Sequence, residues 1–438
     1  MLNTEPFDAL DRLSLAELER WWARRLRAVL AVAARELPFY SERFAATGFD
    51  PASFRTLADL RRLSVVAKAD LLAVQRLTRS RRVGIERGAD GSASRATFSL
   101  SSGTAGTTFV THTAQWRRAQ GLSSCRAHWW AGLRPGGSFV MSAPAWHSYA
   151  AIQPFIAAHF GMRCVVVSGT YLPRFAERIV DAILHFKPRF VTMFLPMVFS
   201  VLAVAREKKL CSYRLFESVE SLVVTGAPIT PGMRDHLKAG TGVGRVAEIA
   251  GTSENLLAVD CPQACGLHVV PDTCYVEIID RRSGNHVADG QRGSVVNSAM
   301  IPHGSLYLRY DSGDIGVMDR SACPCGLPSP RIKLLGRWED CFTVGAQTLL
   351  PYDVQLALEQ EVPELSGSTF VIVRESLTAG RLRILLAESQ HSSGALLDYA
   401  QKALSQRFDV TAEVGAARNL PLRFKGVPPI LSEREAQL

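Results

Sequence analysis

A segment rich in glycine and hydroxyl side chains, residues 98–108 (FSLSSGTAGTT), contains the residue types that bind phosphate groups. Its hydroxyl and glycine positions are Ser101, Ser102, Gly103, Thr104 and Gly106. Glycines let backbone N–H groups crowd around an anion, and the hydroxyls donate further hydrogen bonds. The segment matches neither the GxxxxGK[ST] phosphate loop nor the GxGxxG dinucleotide fingerprint. Taken alone, it fits a phosphate site or an ordinary surface loop.

Two cysteine-rich clusters, CPQACGLH at 261–268 and CPCG at 323–326, have the spacing of metal ligands. Thiolate and imidazole suit tetrahedral Zn²⁺, and structural zinc sites commonly join two such clusters through a long loop. We predict a structural zinc site, with Cys265 as the competing ligand. The predicted ligands are Cys261, His268, Cys323 and Cys325. The other cysteines are expected to be core residues: Cys125, Cys164, Cys211, Cys274 and Cys341.

Aromatic side chains follow two apolar runs of the sequence. Trp146, His147 and Tyr149 come after the run 137–143, and Phe194 ends the run 190–194. Loops at the carboxyl ends of parallel strands form the ligand crevice of α/β sheets. The sequence therefore predicts a pocket for a flat, apolar ligand, with His147 as a polar contact; the alternative is that these side chains belong to the core.

The elements that must position these residues alternate along the chain. Short apolar runs at 137–143, 164–168, 190–194 and 221–225 are separated by helical patterns at 148–161, 173–186 and 196–207. Strands alternating with helices predict a parallel sheet covered by helices, an α/β core. Strand-like segments at 274–279, 293–298 and 306–310, separated by Gly, Asn and Asp turns, predict an antiparallel section.

The two ends of the chain differ from this core. Residues 1–96 are predicted to form a helical N-terminal region, in which 21–37 is an amphipathic helix packed on its own protein and 80–96 is loop. Beyond a strand at 331–335, helices at 352–361 and 394–407 and strands at 368–374 and 381–387 predict a small α+β unit. We predict a large domain over 1–337 and a small, mobile C-terminal domain over 338–438.

Composition limits the class of protein. The chain has 438 residues, 47% of them hydrophobic, with 50 basic against 41 acidic side chains and a formal net charge of +9. These values exclude a disulfide-stapled peptide and a disordered chain, and the mild, dispersed charge favours solvated surface over a nucleic-acid footprint. No apolar run is long enough to span a bilayer. We expect a cytoplasmic protein, without a membrane or nucleic-acid partner, whose cysteines are thiols or metal ligands.

Five further motifs follow the glycine-rich segment in a fixed order. They are Gly226-Ala227-Pro228, Gly251-Thr252-Ser253-Glu254, Tyr310-Asp311-Ser312-Gly313-Asp314, Gly336-Arg337-Trp338-Glu339-Asp340 and Leu420-Pro421-Leu422-Arg423-Phe424-Lys425-Gly426. With the N-terminal segments at 37–41, 59–60 and 68–71, this series resembles the adenylate-forming (AMP-binding) superfamily, and within it the phenylacetate–CoA ligase-like branch. The resemblance extends over residues 25–430.

The resemblance implies a two-step reaction. A carboxylic acid, aryl or related, attacks the α-phosphorus of ATP to give acyl-AMP and pyrophosphate, and a thiol, most often that of CoA, then displaces AMP. Such chemistry needs the reactants held in line and the phosphate charge offset by donors, a lysine and Mg²⁺. Some members of the branch that this sequence resembles carry a zinc site of this kind.

The resemblance further assigns roles by position. The loop 101–106 wraps the β- and γ-phosphates, Glu254 helps hold Mg²⁺, and Ser253 donates to the α-phosphate. Asp314 accepts from both ribose hydroxyls, and Arg337 reaches the ribose or phosphates. Lys425 bridges the carboxylate and the α-phosphate, and the hinge lies at Glu339. The remaining nucleotide positions are Gly226, Ala227, Pro228, Gly251 and Thr252.

Two positions depart from the family pattern. Ala250 stands where an adenine-stacking tyrosine is usual, and Thr107 stands where the phosphate loop often ends in lysine. Two alternatives to an acid–CoA ligase therefore stay open. One is an adenylating ligase that passes the acyl group to a carrier protein or an amine, and the other is a degenerate nucleotide-binding protein. The oligomeric state is also open, a homodimer included.

Overall fold

The structure is a computed structural model that describes residues 5–78, 84–85, 97–100, 107–145, 147–169, 173–387, 393–418, 420 and 428–435. The chain begins with three helices, α1 (Leu15–Glu36), α2 (Pro38–Thr47) and α3 (Lys68–Thr78), and short 3₁₀ helices at Ala9–Arg12, Pro51–Ser53 and Leu57–Arg62. The predicted helical region is thereby confirmed for residues 5–78. In the segment 80–96, predicted to be loop, the described residues 84–85 instead form a short strand that pairs with residues 304–305.

Helix α1 forms where the sequence provides both a start signal and an apolar face. Ser14 and Glu17 make a reciprocal capping box, and Pro38 begins α2 after α1 has ended. The apolar face is buried against the rest of the protein, and the indole of Trp22 donates to the Pro271 carbonyl at 2.9 Å. The predicted amphipathic helix at 21–37 therefore packs on its own chain.

Strands and helices then alternate along the chain. They are β1 (Gly84–Ile85), β2 (Thr97–Leu100), β3 (Phe109–His112), α4 (Ala114–Trp130), β4 (Ser138–Ser142), α5 (Ser148–His159), β5 (Arg163–Val167), α6 (Pro173–Phe186), β6 (Phe190–Phe194), α7 (Leu195–Glu207), α8 (Ser212–Leu215), β7 (Ser221–Thr225), α9 (Pro231–Thr241) and β8 (Arg245–Gly251). Strands β5, β4, β6, β7 and β8 pair in parallel in that order. The predicted α/β core is confirmed.

The same sheet continues with antiparallel strands. They are β9 (Leu256–Asp260), β10 (Leu267–Val269), β11 (Cys274–Ile279), β12 (Gly293–Ala299), β14 (Tyr310–Asp319) and β15 (Arg331–Arg337), with β13 (Gly304–Ser305) paired separately to β1. The sheet of eleven described strands has the order β11-β12-β14-β15-β10-β9-β8-β7-β6-β4-β5. The predicted antiparallel section is therefore part of one large mixed sheet.

The strand predicted at 306–310 is wrong. Arg309 has a left-handed backbone (φ 46°). The backbone N–H groups of Leu308 and Arg309 donate to side chains and not to a neighbouring strand. The Leu308 N–H donates to the Tyr40 hydroxyl at 2.9 Å and the Arg309 N–H to Ser298 Oγ at 2.9 Å. The buried Arg309 guanidinium also donates to the Leu63 carbonyl at 2.7 Å, so this segment anchors the N-terminal helices instead of forming a strand.

The C-terminal part forms a small α+β unit with its own apolar core. After a 3₁₀ helix at Trp338–Asp340 come β16 (Phe342–Val344), β17 (Gln347–Leu349), α10 (Pro351–Glu361), β18 (Phe370–Val373), α11 (Arg374–Thr378), β19 (Arg381–Ala387), α12 (Gly394–Phe408), β20 (Thr411–Ala417) and β21 (Ile430–Leu431). Its four-stranded sheet has the order β20-β19-β18-β21. The domain boundary at residue 338 stays a prediction.

Among the helices that the structure describes, none combines the length and the apolar character needed to cross a membrane.

Candidate active site

The sequence motifs converge on one cavity of about 1350 Å³, a volume that includes space open to solvent. It lies at the carboxyl ends of β4, β6, β7 and β8, where the ligand crevice of an α/β sheet is expected. The predicted site residues that line it are His147, Tyr149, Phe194, Gly226, Ala227, Pro228, Gly251, Thr252, Ser253, Glu254, Asp314 and Arg337. Segments distant in sequence are thus brought to a single site.

The turn from β8 into β9 presents Ser253 and Glu254 to the cavity. The Thr252 N–H donates to the Asn255 carbonyl at 2.8 Å, and Thr252 Oγ1 accepts from the Glu254 N–H at 3.2 Å. The Ser253 carbonyl accepts from Ser148 Oγ at 2.8 Å. The buried Glu254 carboxylate accepts from Thr108 Oγ1 at 3.0 Å, which ties it to the last residue of the glycine-rich segment.

Arg337 and Asp314 face each other across β14 and β15. They are register partners, and Arg337 Nε lies 3.5 Å from Asp314 Oδ1. The same guanidinium donates to the Ser312 carbonyl at 3.1 Å and to Glu339 Oε1 at 2.6 Å. Glu339 is not among the cavity-lining residues, but its carboxylate bonds directly to one that is.

Phe194 and Gly226 shape another wall of the cavity. Gly226 has φ 95°, and a Cβ built there would lie 2.5 Å from Phe194 Cδ1, so only glycine fits. The His147 ring meets the Phe194 ring edge-on, with centroids 5.9 Å apart. His147 Nδ1 accepts from the Tyr149 N–H at 3.2 Å and caps α5, while its Nε2 lies 3.5 Å from Ser253 Oγ.

The four predicted metal ligands also come together. The ligand atoms of Cys261, His268, Cys323 and Cys325 lie within 4.8 Å of one another, and all four residues are buried. Cys261 Sγ is 3.8 Å from Cys323 Sγ, and Cys325 Sγ is 3.3 Å from His268 Nε2. The competing Cys265 is exposed, and its thiol donates to the Gln263 carbonyl at 3.3 Å.

The remaining cysteines only partly follow the prediction. Cys125 and Cys274 are buried, and Cys164 and Cys341 are half-buried. Cys211 is exposed, so the expectation of a core position is wrong for it. It lies at the N-cap of the short helix α8, a position at the end of an element and not within the core.

Several predicted site residues lie outside the described residues. They are Ser101, Ser102, Gly103, Thr104, Gly106, Trp146 and Lys425.

The cavity also contains residues to which sequence reasoning gave no role. Lys68, at the start of α3, is a second cavity-lining cation beside Arg337. Trp116, Gln120 and Ser124 line it from α4, a helix that the sequence analysis leaves unassigned. Helix α4 buries many polar side chains, so its sequence lacks the polar–apolar periodicity by which a helix is recognised. The concentration of polar residues in this segment was the one feature of the sequence that could have indicated a binding site.

A buried carboxyl group, Glu248 on β8, also lines the cavity. Burial, reinforced by the charge of Asp260, raises the pKa of Glu248 to about 8. Glu248 Oε2 accepts from the Ile229 N–H at 3.3 Å, and the Glu248 N–H donates to Asp260 Oδ2 at 2.8 Å. At neutral pH the Glu248 carboxyl group is therefore largely protonated and uncharged.

The geometry agrees with the family assignment. A family model described as AMP-binding enzyme matches residues 49–299, more than half of the chain. The protein belongs to the AMP-binding enzyme family.

Its similarity to characterised proteins is distant but extends over most of the chain. A phenylacetate–coenzyme A ligase of Thermus thermophilus is 26% identical over 409 residues, which cover 89% of this chain and 85% of that relative. A phenylacetate–coenzyme A ligase of Escherichia coli K12 is 24% identical over 339 residues, which cover 72% of this chain and 70% of that relative.

The fold is also that of a solved acyl-CoA ligase. A crystal structure of 2-hydroxyisobutyryl-CoA ligase in the postadenylation state, with 2-HIB-AMP, superposes with a TM-score of 0.85 at 23% identity and covers 98% of this chain and 94% of that one. For the same ligase in the thioesterification state the TM-score is 0.68 at 23% identity, and the match covers 98% of this chain and 91% of that one.

The raised pKa of Glu248 predicts a pH-dependent effect on stability. The pKa of Glu248 in the folded protein, about 8, lies above its ordinary value of 4.5. The contribution of Glu248 to the free energy of unfolding is therefore fully present below pH 4.5 and is lost as the pH rises through 8. Glutamine keeps the group neutral. The free energy of unfolding of Glu248→Gln should therefore rise relative to the wild type between pH 5 and 8, by at most about 1.4 kcal/mol per pH unit.

Denaturant unfolding at pH 5, 6, 7 and 8 measures this difference, and groups common to both proteins cancel from it. The exposed Glu364→Gln is the control, for which we expect a difference that does not change with pH. Parallel stability curves for Glu248→Gln and the wild type would contradict the prediction.

Proposed function

We propose that this protein activates a carboxylic acid with ATP to an acyl-adenylate and then transfers the acyl group to CoA, releasing AMP. The proposal rests above all on one observation. In a member of the AMP-binding enzyme family, the motifs at the carboxyl ends of four neighbouring strands line a single cavity with Asp314 and Arg337. The relatives named as phenylacetate–coenzyme A ligases support CoA as the acceptor.

The phosphate end of the nucleotide is held by the turn after β8 and the glycine-rich loop. Backbone N–H groups and hydroxyls of the loop 101–106 wrap the β- and γ-phosphates, and Ser253 donates to the α-phosphate. Mg²⁺, a hard cation that prefers oxygen ligands, offsets phosphate charge with Glu254 as its carboxylate ligand. The hydrogen bond from Thr108 to Glu254 supports this assignment, because it joins the two segments that must act together.

The nucleoside end is held by three segments. Asp314 accepts from the ribose hydroxyls, and Arg337 contacts the ribose or the phosphates. Adenine lies along Gly226, Ala227 and Pro228, with Gly251 and Thr252 completing the wall; all of these residues line the cavity. Ala250 lines it as well, without an aromatic ring to stack on the base.

The acid lies between aromatic residues of the same cavity. Phe194, Tyr149 and His147 line it, and these aromatic side chains support a site for an aryl or related acid. Trp146 belongs to the predicted pocket by its position in the sequence. Lys425 joins the carboxylate to the α-phosphate during adenylation and leaves the site for the second step, when the C-terminal part turns about Glu339.

An acid panel tests the proposed function. Acid-dependent exchange of labelled pyrophosphate into ATP reports the first step, and mass spectrometry of the products with CoA reports the second. We expect exchange with at least one aryl acid and its CoA thioester as the product. If the protein is folded and binds nucleotide but no acid of the panel supports pyrophosphate exchange, the proposal is overturned.

The ribose assignment predicts the effect of Asp314→Ala. Loss of hydrogen bonds to a charged acceptor costs about 1.5–3 kcal/mol, so kcat/KM for ATP should fall by about one to two orders of magnitude. The matched control is Asp319→Ala, since Asp319 also lies on β14 and faces an arginine, Arg331, across the same strand pair. Asp319 does not line the cavity, so its variant should keep wild-type kinetics. Equal kinetics for both variants would remove Asp314 from the site.

The lysine assignment predicts that Lys425→Ala separates the two half-reactions. The ammonium offsets charge that builds up only in the adenylation transition state, so acyl-AMP formation should fall about 10²-fold or more. ATP binding and the consumption of supplied acyl-AMP should stay near wild type. The control is Lys402→Ala on α12, an exposed lysine of the same C-terminal part. If Lys425→Ala slowed both half-reactions equally, the lysine would have a structural role.

We also propose that Cys261, His268, Cys323 and Cys325 bind a structural Zn²⁺. The observed separation of 3.8 Å between Cys261 Sγ and Cys323 Sγ equals the ligand–ligand distance of about 3.8 Å in a tetrahedron with Zn–S bonds of about 2.3 Å. His268 Nδ1 lies 2.7 Å from the Ser329 carbonyl, which only accepts, so Nδ1 carries the hydrogen and Nε2 keeps the lone pair that a metal needs. The ion would join β9, β10 and the loop between β14 and β15.

The zinc assignment predicts about one zinc per chain by elemental analysis. Cys323→Ser should lose the metal and lower the thermal stability, because metal binding contributes to the free energy of folding. Cys265→Ser is the matched control, an exposed neighbouring thiol whose loss should change neither the zinc content nor the stability. Metal-free protein with unchanged stability would refute the assignment.

A further inference from the structure

One wall of the cavity is built by α4 and α5. Trp116, Gln120 and Ser124 are spaced four residues apart, so they share a face of α4 that borders the cavity. From α5, Tyr149 and Ile152 complete this wall. The Trp116 indole is fixed in place, because it stacks on the His112 ring with centroids 4.3 Å apart and planes 4° apart.

Gln120 brings an unpartnered polar atom to this wall. Its side chain is 3% exposed, and no donor among the described residues reaches its Oε1, which is buried. A buried carbonyl oxygen without a donor destabilises the protein that contains it. Gln120 also lines the cavity, so a bound molecule lies next to its side-chain amide. A rotation of that amide about its terminal bond would let Oε1 accept from a donor on the molecule.

The neighbouring hydroxyl of Tyr149 is already committed. His128 Nδ1 lies 2.7 Å from the Ser124 carbonyl, so Nδ1 carries a hydrogen and, in the neutral ring, Nε2 is an acceptor. Burial lowers the pKa of His128 to about 4, which keeps the ring neutral at physiological pH. The Tyr149 hydroxyl therefore donates to His128 Nε2 at 3.0 Å and accepts from Thr192 Oγ1 at 3.0 Å. Its only proton points away from any ligand.

We propose that the acid carries a hydroxyl or amino substituent that donates a hydrogen bond to Gln120 Oε1. The rest of the acid is aromatic, since the ring of Tyr149 and the side chains of Trp116, Ile152 and Phe194 surround the same space. The substrate class is thus a hydroxy- or amino-substituted aryl acid. This inference rests on the proposed acid–CoA ligase function and narrows its substrate.

The experiment compares matched acids in CoA-thioester formation. The panel contains phenylacetic and benzoic acid, their hydroxy and amino derivatives at each ring position, and the corresponding methoxy derivatives, which accept hydrogen bonds but cannot donate them. For at least one hydroxy or amino isomer, kcat/KM should exceed that of both the parent acid and the methoxy analogue by about tenfold or more, as expected when a buried acceptor gains its partner.

Gln120→Met should remove this preference, because methionine fills similar volume without a carbonyl. The measurement is the ratio of kcat/KM between each hydroxy or amino acid and its methoxy analogue, which should fall toward one in the variant. The control is Gln153→Met on α5. Gln153 is also fully buried, and its Oε1 has no partner among the residues that the structure describes. It does not line the cavity, so its variant should keep the wild-type preference.

The outcomes separate the two proposals. Thioester formation without a preference for donor-bearing acids, or a preference that survives in Gln120→Met, overturns the substrate inference and leaves the ligase function standing. Absence of any acid-dependent thioester overturns the ligase function and the inference with it. The comparison of acids in the wild type needs no variant, so it decides the question even if Gln120→Met does not fold.

Discussion

The reversal of the chain between β8 and β9 is the constraint on which the site depends. Within the large sheet, β8 is the last of the parallel strands and β9 the first of the antiparallel ones along the chain, so the chain must turn back within a few residues. A Cβ at Gly251 would lie 3.0 Å from the Asn255 carbonyl oxygen, which leaves little room for any other residue. Asn255 is held in turn by a 2.7 Å hydrogen bond from its amide to Asn297 Oδ1 on β12. Ser253 and Glu254 are therefore presented to the cavity by a turn that has almost no freedom.

The sequence was sufficient where one physical signal dominated. The strands at 190–194 and 221–225 are almost wholly buried, and such strands appear as unbroken apolar runs. The family resemblance assigned Asp314, Arg337 and Gly226 to one nucleotide site, and all three line the same cavity although many residues separate them. Cysteine spacing identified the four side chains that cluster, and the structure was needed to show that Cys265 lies exposed outside the cluster.

The sequence was insufficient where tertiary partners replaced local rules. The segment 306–310 has the composition of a strand, yet its backbone donors bond to Tyr40 and Ser298, which lie far away in the sequence. Helix α4 turns Gln120, Ser124 and His128 inward, against the pattern by which helices are recognised. His128 bonds within the helix to the Ser124 carbonyl, but its second partner, the Tyr149 hydroxyl, comes from α5, so no local window of sequence could reveal that contact.

The charges around the cavity have a consequence for how the nucleotide arrives. The described side chains that line it include two cations, Lys68 and Arg337, and two carboxylates, Glu254 and Asp314, while Glu248 is largely protonated at neutral pH. The loop 101–106 adds no charged side chain. Together these groups sum to no net charge, whereas ATP carries about four negative charges. Lys425, proposed to reach the α-phosphate during adenylation, would offset one of these charges, so most of the remainder is left to a counterion that enters with the nucleotide. We therefore expect the metal complex of ATP, and not the free anion, to be the species that binds.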